Sequence, residues 1–184
     1  MKQILFLFLL SFANLVFAAE ETHISFNKEN AKYWQYISDR TMGGISDGQA
    51  LLEQDGDRFF ARLTGDVSTK NNGGFIQLRS NLLFSSFQED VKKIKGVRLK
   101  VRGNGEIYHV FIRTDEARSY SDYYAATFKA NTNWEIIDLP FNQFINKFSI
   151  NTNLNGKNVR TFAIVAYGRE FKSDVSVSQI IFYY

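Results

Sequence analysis

The sequence predicts an all-β fold, a sandwich or barrel folded as one domain. Two observations carry this. Short apolar runs alternate with turn residues from Tyr33 to Tyr184, and aromatic residues make up 16% of the chain, the rhythm and composition of half-buried strands. In "GVRLKVRGNGEIYHVFIRT" at 96–114, Val97, Leu99 and Val101 alternate with Arg98, Lys100 and Arg102, a period of two that sends the apolar groups to one face. No Pro-rich or Ser-rich linker, repeat or low-complexity tract divides the chain, and Pro140 is its only proline. A domain of this length buries roughly 70% of its unfolded surface, so one core is sufficient.

Taken in order, the chain opens with Lys2, an apolar run at 4–10 and the small-residue pattern Val16-Phe17-Ala18. This predicts an export signal at 1–18, cut after Ala18 or Ala19, and a single domain at 19–184. The apolar run is short for a membrane span, which needs roughly 20 residues. Contact with a membrane is expected only through a partner or an uncleaved signal. Strands are predicted at 33–37, 49–53, 58–63 and 74–80, with Asp55-Gly56-Asp57 turning the second into the third. The arms 97–102 and 106–114 read as a hairpin closed by Gly103-Asn104-Gly105. Further strands fall at 123–129, 134–139, 159–167 and 175–184. After Pro140, the residues Phe141, Phe144, Ile145 and Phe148 stand at i, i+3, i+4 and i+7, which predicts one short helix plugging an open end of the sandwich.

Charge and composition exclude several functions. The formal charge is +3, one unit of it from Lys2, too little for a nucleic-acid binder. The cluster Lys92, Lys93, Lys95 stands beside Glu89 and Asp90 and reads as solvated surface. With no cysteine there is no disulfide, thiol nucleophile or thiolate metal site. His23 and His109 alone do not make a zinc site. Asp39, Asp47, Asp55 and Asp57 offer oxygen ligands without an EF-hand spacing, so neither metal nor cofactor is expected. Glycosidase chemistry needs two facing carboxylates, and Asp115, Glu116 and Asp122 read as solvated acids near one loop.

Gly44-Ile45-Ser46-Asp47-Gly48 satisfies the G-x-S-x-G pattern of a hydrolase nucleophile elbow. Such a serine needs a preceding strand, a following helix and a downstream acid and histidine. Here "QALLE" follows as a strand, and His109 sits within another strand. The motif is therefore read as a shaped loop: Gly43 and Gly44 permit positive φ, and Asp39, Ser46 and Asp47 bond nearby amides. Strand alternation places Phe75, Gln77 and Arg79 on one face, and His109, Phe111 and Arg113 on another. Were these strands in one sheet with Arg98, Lys100 and Arg102, they would form an arginine-bearing face suited to a peptide, an acidic ligand or a sugar. Tyr120, Tyr123, Tyr124 and Trp134 add flat rings for stacking.

Trp34, "SDRTMGGIS" at 38–46, "FFARLTGDVS" at 59–68, "NNGGFIQLRS" at 71–80, the 96–115 segment, Trp134 with "LPF" at 139–141, and "YGRE" at 167–170 resemble the complex I intermediate-associated protein 30 family. The resemblance implies a galactose-binding-domain-like jelly roll of two antiparallel sheets. It also implies a non-enzymatic role, since mitochondrial members are assembly factors for respiratory NADH:ubiquinone oxidoreductase. Asp39, Arg40, Gly43, Gly44, Gly73, Gly74, Phe75, Arg79, Arg113 and Asp115 occupy motif positions and are the expected binding surface. Mitochondrial members act in the matrix, whereas the amino-terminal pattern here predicts export to the periplasm or beyond. The combined expectation is an exported, chaperone-like module that binds a protein partner. The alternative is a carbohydrate-binding module of the cell envelope.

Overall fold

A computed structural model of the chain describes residues 21–80, 93–146, 154 and 159–184. The export signal at 1–18 lies outside them. Eleven strands appear among the described residues: β1 Glu21–Ser25, β2 Trp34–Ser38, β3 Asp47–Asp55, β4 Arg58–Val67, β5 Phe75–Ser80, β6 Gly96–Gly103, β7 Ile107–Thr114, β8 Tyr124–Lys129, β9 Glu135–Pro140, β10 Val159–Tyr167 and β11 Phe171–Tyr183. They form two antiparallel sheets. One has the order β3-β4-β11-β6-β9, with β1 also on β11; the other has the order β2-β5-β10-β7-β8. The long β11 pairs with β6 on one edge, and on the other with β4 through Val177 and then β1 from Gln179. No helix among the described residues is long and apolar enough to cross a membrane.

Alternation decides what the sandwich buries. Leu63, Val97, Leu99, Val101, Val175, Val177, Ile180 and Phe182 come inward from the six-stranded sheet. Ile76, Leu78, Tyr108, Val110, Ile112, Phe162 and Ile164 meet them from the five-stranded sheet, and all are at most 4% exposed. The edge-to-face pair Phe162–Phe182, 5.7 Å between centroids, bridges the layers.

Two sequence expectations are corrected. Gly103-Asn104-Gly105 does not close a hairpin, because β6 and β7 lie in different sheets. Gly105 has φ +84° and reverses the chain, but the turn bonds to a second crossover: the Gly103 and Gly105 amides donate to the Asn131 and Ala130 carbonyls, and the Ala130 amide donates to that of Glu106. It is a corner between layers. The short helix after Pro140 is one 3-10 turn, Phe141–Gln143. Phe144 is extended, at φ −81° and ψ 126°, because Ile145 exchanges two backbone hydrogen bonds with Ala125. Phe141 and Phe144 still fill the core in edge contact, with ring centroids 5.7 Å apart, while Ile145 is 59% exposed. Phe148 lies outside the described residues.

Candidate functional site

The glycine-rich loop is organised around one buried carboxylate. Asp39, in a 3-10 turn after β2, is fully buried and accepts hydrogen bonds from the amides of Ser46 (2.9 Å), Gly74 (2.6 Å) and Phe75 (3.2 Å) and from the Ser46 hydroxyl. Burial by itself would raise its pKa. The Ser46 hydroxyl and the three amides outweigh that and hold the carboxyl below its ordinary value. Ser46 in turn accepts from the Ser68 amide at 2.9 Å, so Asp39 and Ser46 together tie the 39–48 loop to the 68–75 loop. The glycines make room for this staple: a Cβ on Gly44 or Gly73 would lie 2.4 or 2.5 Å from an Asp39 carboxylate oxygen. The serine of the G-x-S-x-G motif is thus fully buried and hydrogen-bonded as a structural group, with no histidine among its partners.

Above this staple, the outer face of the five-stranded sheet forms a groove of about 570 Å³. Its floor follows from the sequence of the central strand, where Ala163 and Val165 alternate with the core residues Phe162 and Ile164. Phe111, Ala163 and Val165 form a second apolar cluster, with Phe75, Tyr123 and Ala125 packed on it. The walls rise from larger residues on β5 and β7: Phe75, Gln77 and Arg79 on one side, Phe111 and Arg113 on the other, all lining the groove. Register sets Arg79 and Phe111 on either side of Ala163. Tyr123 stacks on Phe111 at 4.0 Å and 18°, and Tyr167 meets Phe111 edge-on at 5.3 Å. Burial, then the hydrogen bond to Tyr167, pushes the Tyr123 hydroxyl well up. Met42 and Tyr120 stand at the rim, 62% and 82% exposed.

The polar groups of the groove are incompletely satisfied. Arg113 donates from Nε and Nη2 to the Tyr120 carbonyl, at 3.1 and 2.6 Å, and lies over the Tyr123 ring. Its Nη1 is buried and has no hydrogen-bond partner among the described residues, and the same holds for Gln77 Oε1. Each such group costs about 1–3 kcal/mol. Burial lowers the pKa of Arg113 and Arg79, and for Arg113 the nearby Arg79 charge lowers it further. The guanidinium groups remain charged, but they are held in a place that disfavours charge.

Of the expected surface residues, Gly73, Phe75, Arg79 and Arg113 line the groove. Asp39, Gly44 and Gly74 are buried and form the scaffold beneath it, a correction to their reading as surface. Gly43, at φ +88°, closes the 39–42 turn. Arg40 is exposed, donating to the Ser46 carbonyl at 3.1 Å and pairing with Asp47 at 3.3 Å. Asp115 is exposed and does not line the groove. Arg98, Lys100 and Arg102 belong to the other sheet. There Arg98 pairs with Asp138 and Glu21, and Arg102 lies over Phe60 and Trp134. Tyr124 is core, whereas Tyr120 and Tyr123 line the groove. Ile37, Met42 and Tyr167 escaped the sequence reading. Ile37 was within reach of it, since the alternation of β2 sets it opposite Gln77. Among the described residues no group of three or more His, Cys, Asp or Glu is placed to hold a metal ion.

The fold has solved counterparts. The family 11 carbohydrate-binding module of the cellulosomal cellulase Lic26A-Cel5E of Clostridium thermocellum superposes with TM-score 0.71 at 13% identity, over 90% of this chain and 95% of that one. The Clostridium thermocellum family 11 module in complex with a β-1,3-1,4-mixed-linked tetrasaccharide gives 0.69 at 13% identity, over 90% and 96%. The K2 cleaved adhesin domain of Lys-gingipain gives 0.51 at 13% identity, over 89% and 99%. At such identities the likeness is one of fold, a galactose-binding-like jelly roll. No curated protein matches the sequence. The family described as Complex I intermediate-associated protein 30 (CIA30) matches residues 24–175, which contain both glycine motifs, the Asp39 staple and every groove residue named above. The chain belongs to the complex I intermediate-associated protein 30 family.

Proposed function

We propose that this protein is a non-enzymatic, exported binding module that holds a protein partner in the groove of its five-stranded sheet and assists the assembly of a complex in the envelope or outside the cell. The observation that carries the reading is the groove's lining. It gathers Phe75, Phe111, Tyr120, Tyr123, Tyr167, Met42, Arg79 and Arg113 and, among the described residues, contains no Asp, Glu or Lys, the bias found at the centres of protein interfaces. Family membership supports the assembly role, since the family takes its name from association with complex I intermediates. Export follows from the amino-terminal sequence alone and directs the module to partners outside the cytoplasm. Association with respiratory complex I itself would then be confined to that enzyme's outer face.

A photo-crosslinking residue at Tyr120, at the groove rim, tests the reading against a control at Ile136 on the edge strand β9. The expected result is a discrete protein adduct from position 120 and none from 136. Adducts from 136 alone, or from neither, contradict it.

A glycan is the second reading, favoured by Tyr120 and Tyr123 at the groove and by a fold shared with carbohydrate-binding modules. Neutral sugars need acceptors for their hydroxyl protons; Arg79 and Arg113 supply donors only, and Gln77 Oε1 is the acceptor in the wall. Titration with β-glucan oligosaccharides checks this reading, and shifts confined to groove resonances would favour it.

A further inference from the structure

Building on the reading of the groove as a protein-binding site, we propose that it selects an acidic segment of the partner, seating an Asp or Glu carboxylate against Arg79 and Arg113 with an adjacent apolar side chain on the Tyr123–Tyr167 wall. Five of the arginines elsewhere supply the contrast. Arg40, Arg62, Arg98, Arg102 and Arg169 each lie within 4 Å of a carboxylate. Arg79 and Arg113 pair with none among the described residues, although both line the one groove.

In the neighbouring loop Asp122 acts on Arg113 only through space, its two oxygens accepting from the Arg118 amide and from Asn146. Two partly desolvated cations side by side are unfavourable until an anion arrives. A carboxylate is the matching group, because its two oxygens fit the planar fork of a guanidinium. Closer approach to Arg113 also offers an acceptor to the enclosed Nη1, once the Tyr120 carbonyl gives way. The apolar floor and the exposed Met42 and Tyr120 at the rim favour a peptide that brings a ring or aliphatic group beside its acid, over an acidic glycan that brings hydroxyls.

Selection of random dodecapeptides displayed on phage against the purified protein tests the proposal. The expected result is enrichment of Asp or Glu next to an aromatic or aliphatic residue. Synthetic peptides from that pool should weaken about tenfold when the acid becomes its amide, and about tenfold on Arg79→Gln or Arg113→Gln, as the loss of one charged hydrogen bond implies. Affinity should fall as salt rises. Both side chains are half-buried, and thermal unfolding verifies that the variants are folded; Arg79→Lys supplies a second variant that keeps the charge and loses the fork. Selected peptides without acids, peptides indifferent to both arginines, or no selection at all would overturn the proposal. So would binding of oligogalacturonate, but no peptide, in an arginine-dependent way. A protein adduct at position 120 together with any of these results removes only the preference for acid. Absence of that adduct removes the underlying reading.

Discussion

At the scale of single residues, the argument turns on Asp39. Its four hydrogen bonds join two loops distant in sequence, so Asp39→Ala leaves the Ser46 hydroxyl and three amides without their acceptor. The expected loss is about 3–5 kcal/mol, measured by urea unfolding. Gly44→Ala and Gly73→Ala push a methyl against the same carboxylate, and each should cost about 1–3 kcal/mol. The pH dependence has a definite sign. Because the folded carboxyl sits below its ordinary 3.8, its stabilisation is complete above that value and is lost as pH falls through the folded one. Asp39→Asn should flatten that acid limb of the stability curve, as followed by circular dichroism. The sequence showed that "DRTMGGIS" shapes a loop. It did not show that the Asp39 carboxylate also serves the 68–75 loop, because the contact spans 35 residues from Asp39 to Gly74 and no local pattern reports it. For the same reason three motif residues that read as surface are scaffold.

Among the elements, strand existence was legible and strand partnership was not. The period-two alternation of β6 and β7 is plain in the sequence, yet the Gly-Asn-Gly turn carries the chain from one sheet to the other. What fixes that corner is tertiary. The Tyr108 hydroxyl donates to Asn104 at 2.7 Å and accepts from the Asp174 amide at 2.8 Å, and Asn104 donates from its side chain to the Lys172 carbonyl at 2.7 Å. Tyr108→Phe keeps the buried ring and removes both hydroxyl bonds, so it should cost about 1–2 kcal/mol in chemical unfolding. The helical spacing after Pro140 misled because Ile145 found a strand partner in Ala125, and two backbone bonds to a formed sheet outweigh a short run of helix. β1, "ETHIS", escaped notice because its polar residues show no apolar alternation; it forms by pairing with β11.

At the scale of the whole molecule, the two faces of the sandwich differ in how they settle their charges. The six-stranded sheet pairs its central arginines: Arg62 holds Asp174 through two bonds of 2.9 and 2.8 Å, and Arg98 pairs with Asp138 and Glu21. The five-stranded sheet places Arg79 and Arg113 in an aromatic groove without such partners among the described residues. The face residues of β5 and β7 were readable from alternation, but their convergence across β10 depends on strand order, which alternation does not encode. Affinity for the partner crosslinked at position 120, compared across two sets of variants with matched thermal stability, tests the central claim most directly. The account predicts a loss of about tenfold or more for Arg79→Ala, Arg113→Ala and Tyr167→Ala, and less than about twofold for Leu51→Ala, Arg102→Ala and Ile136→Ala on the opposite face. Losses confined to the second set would contradict it.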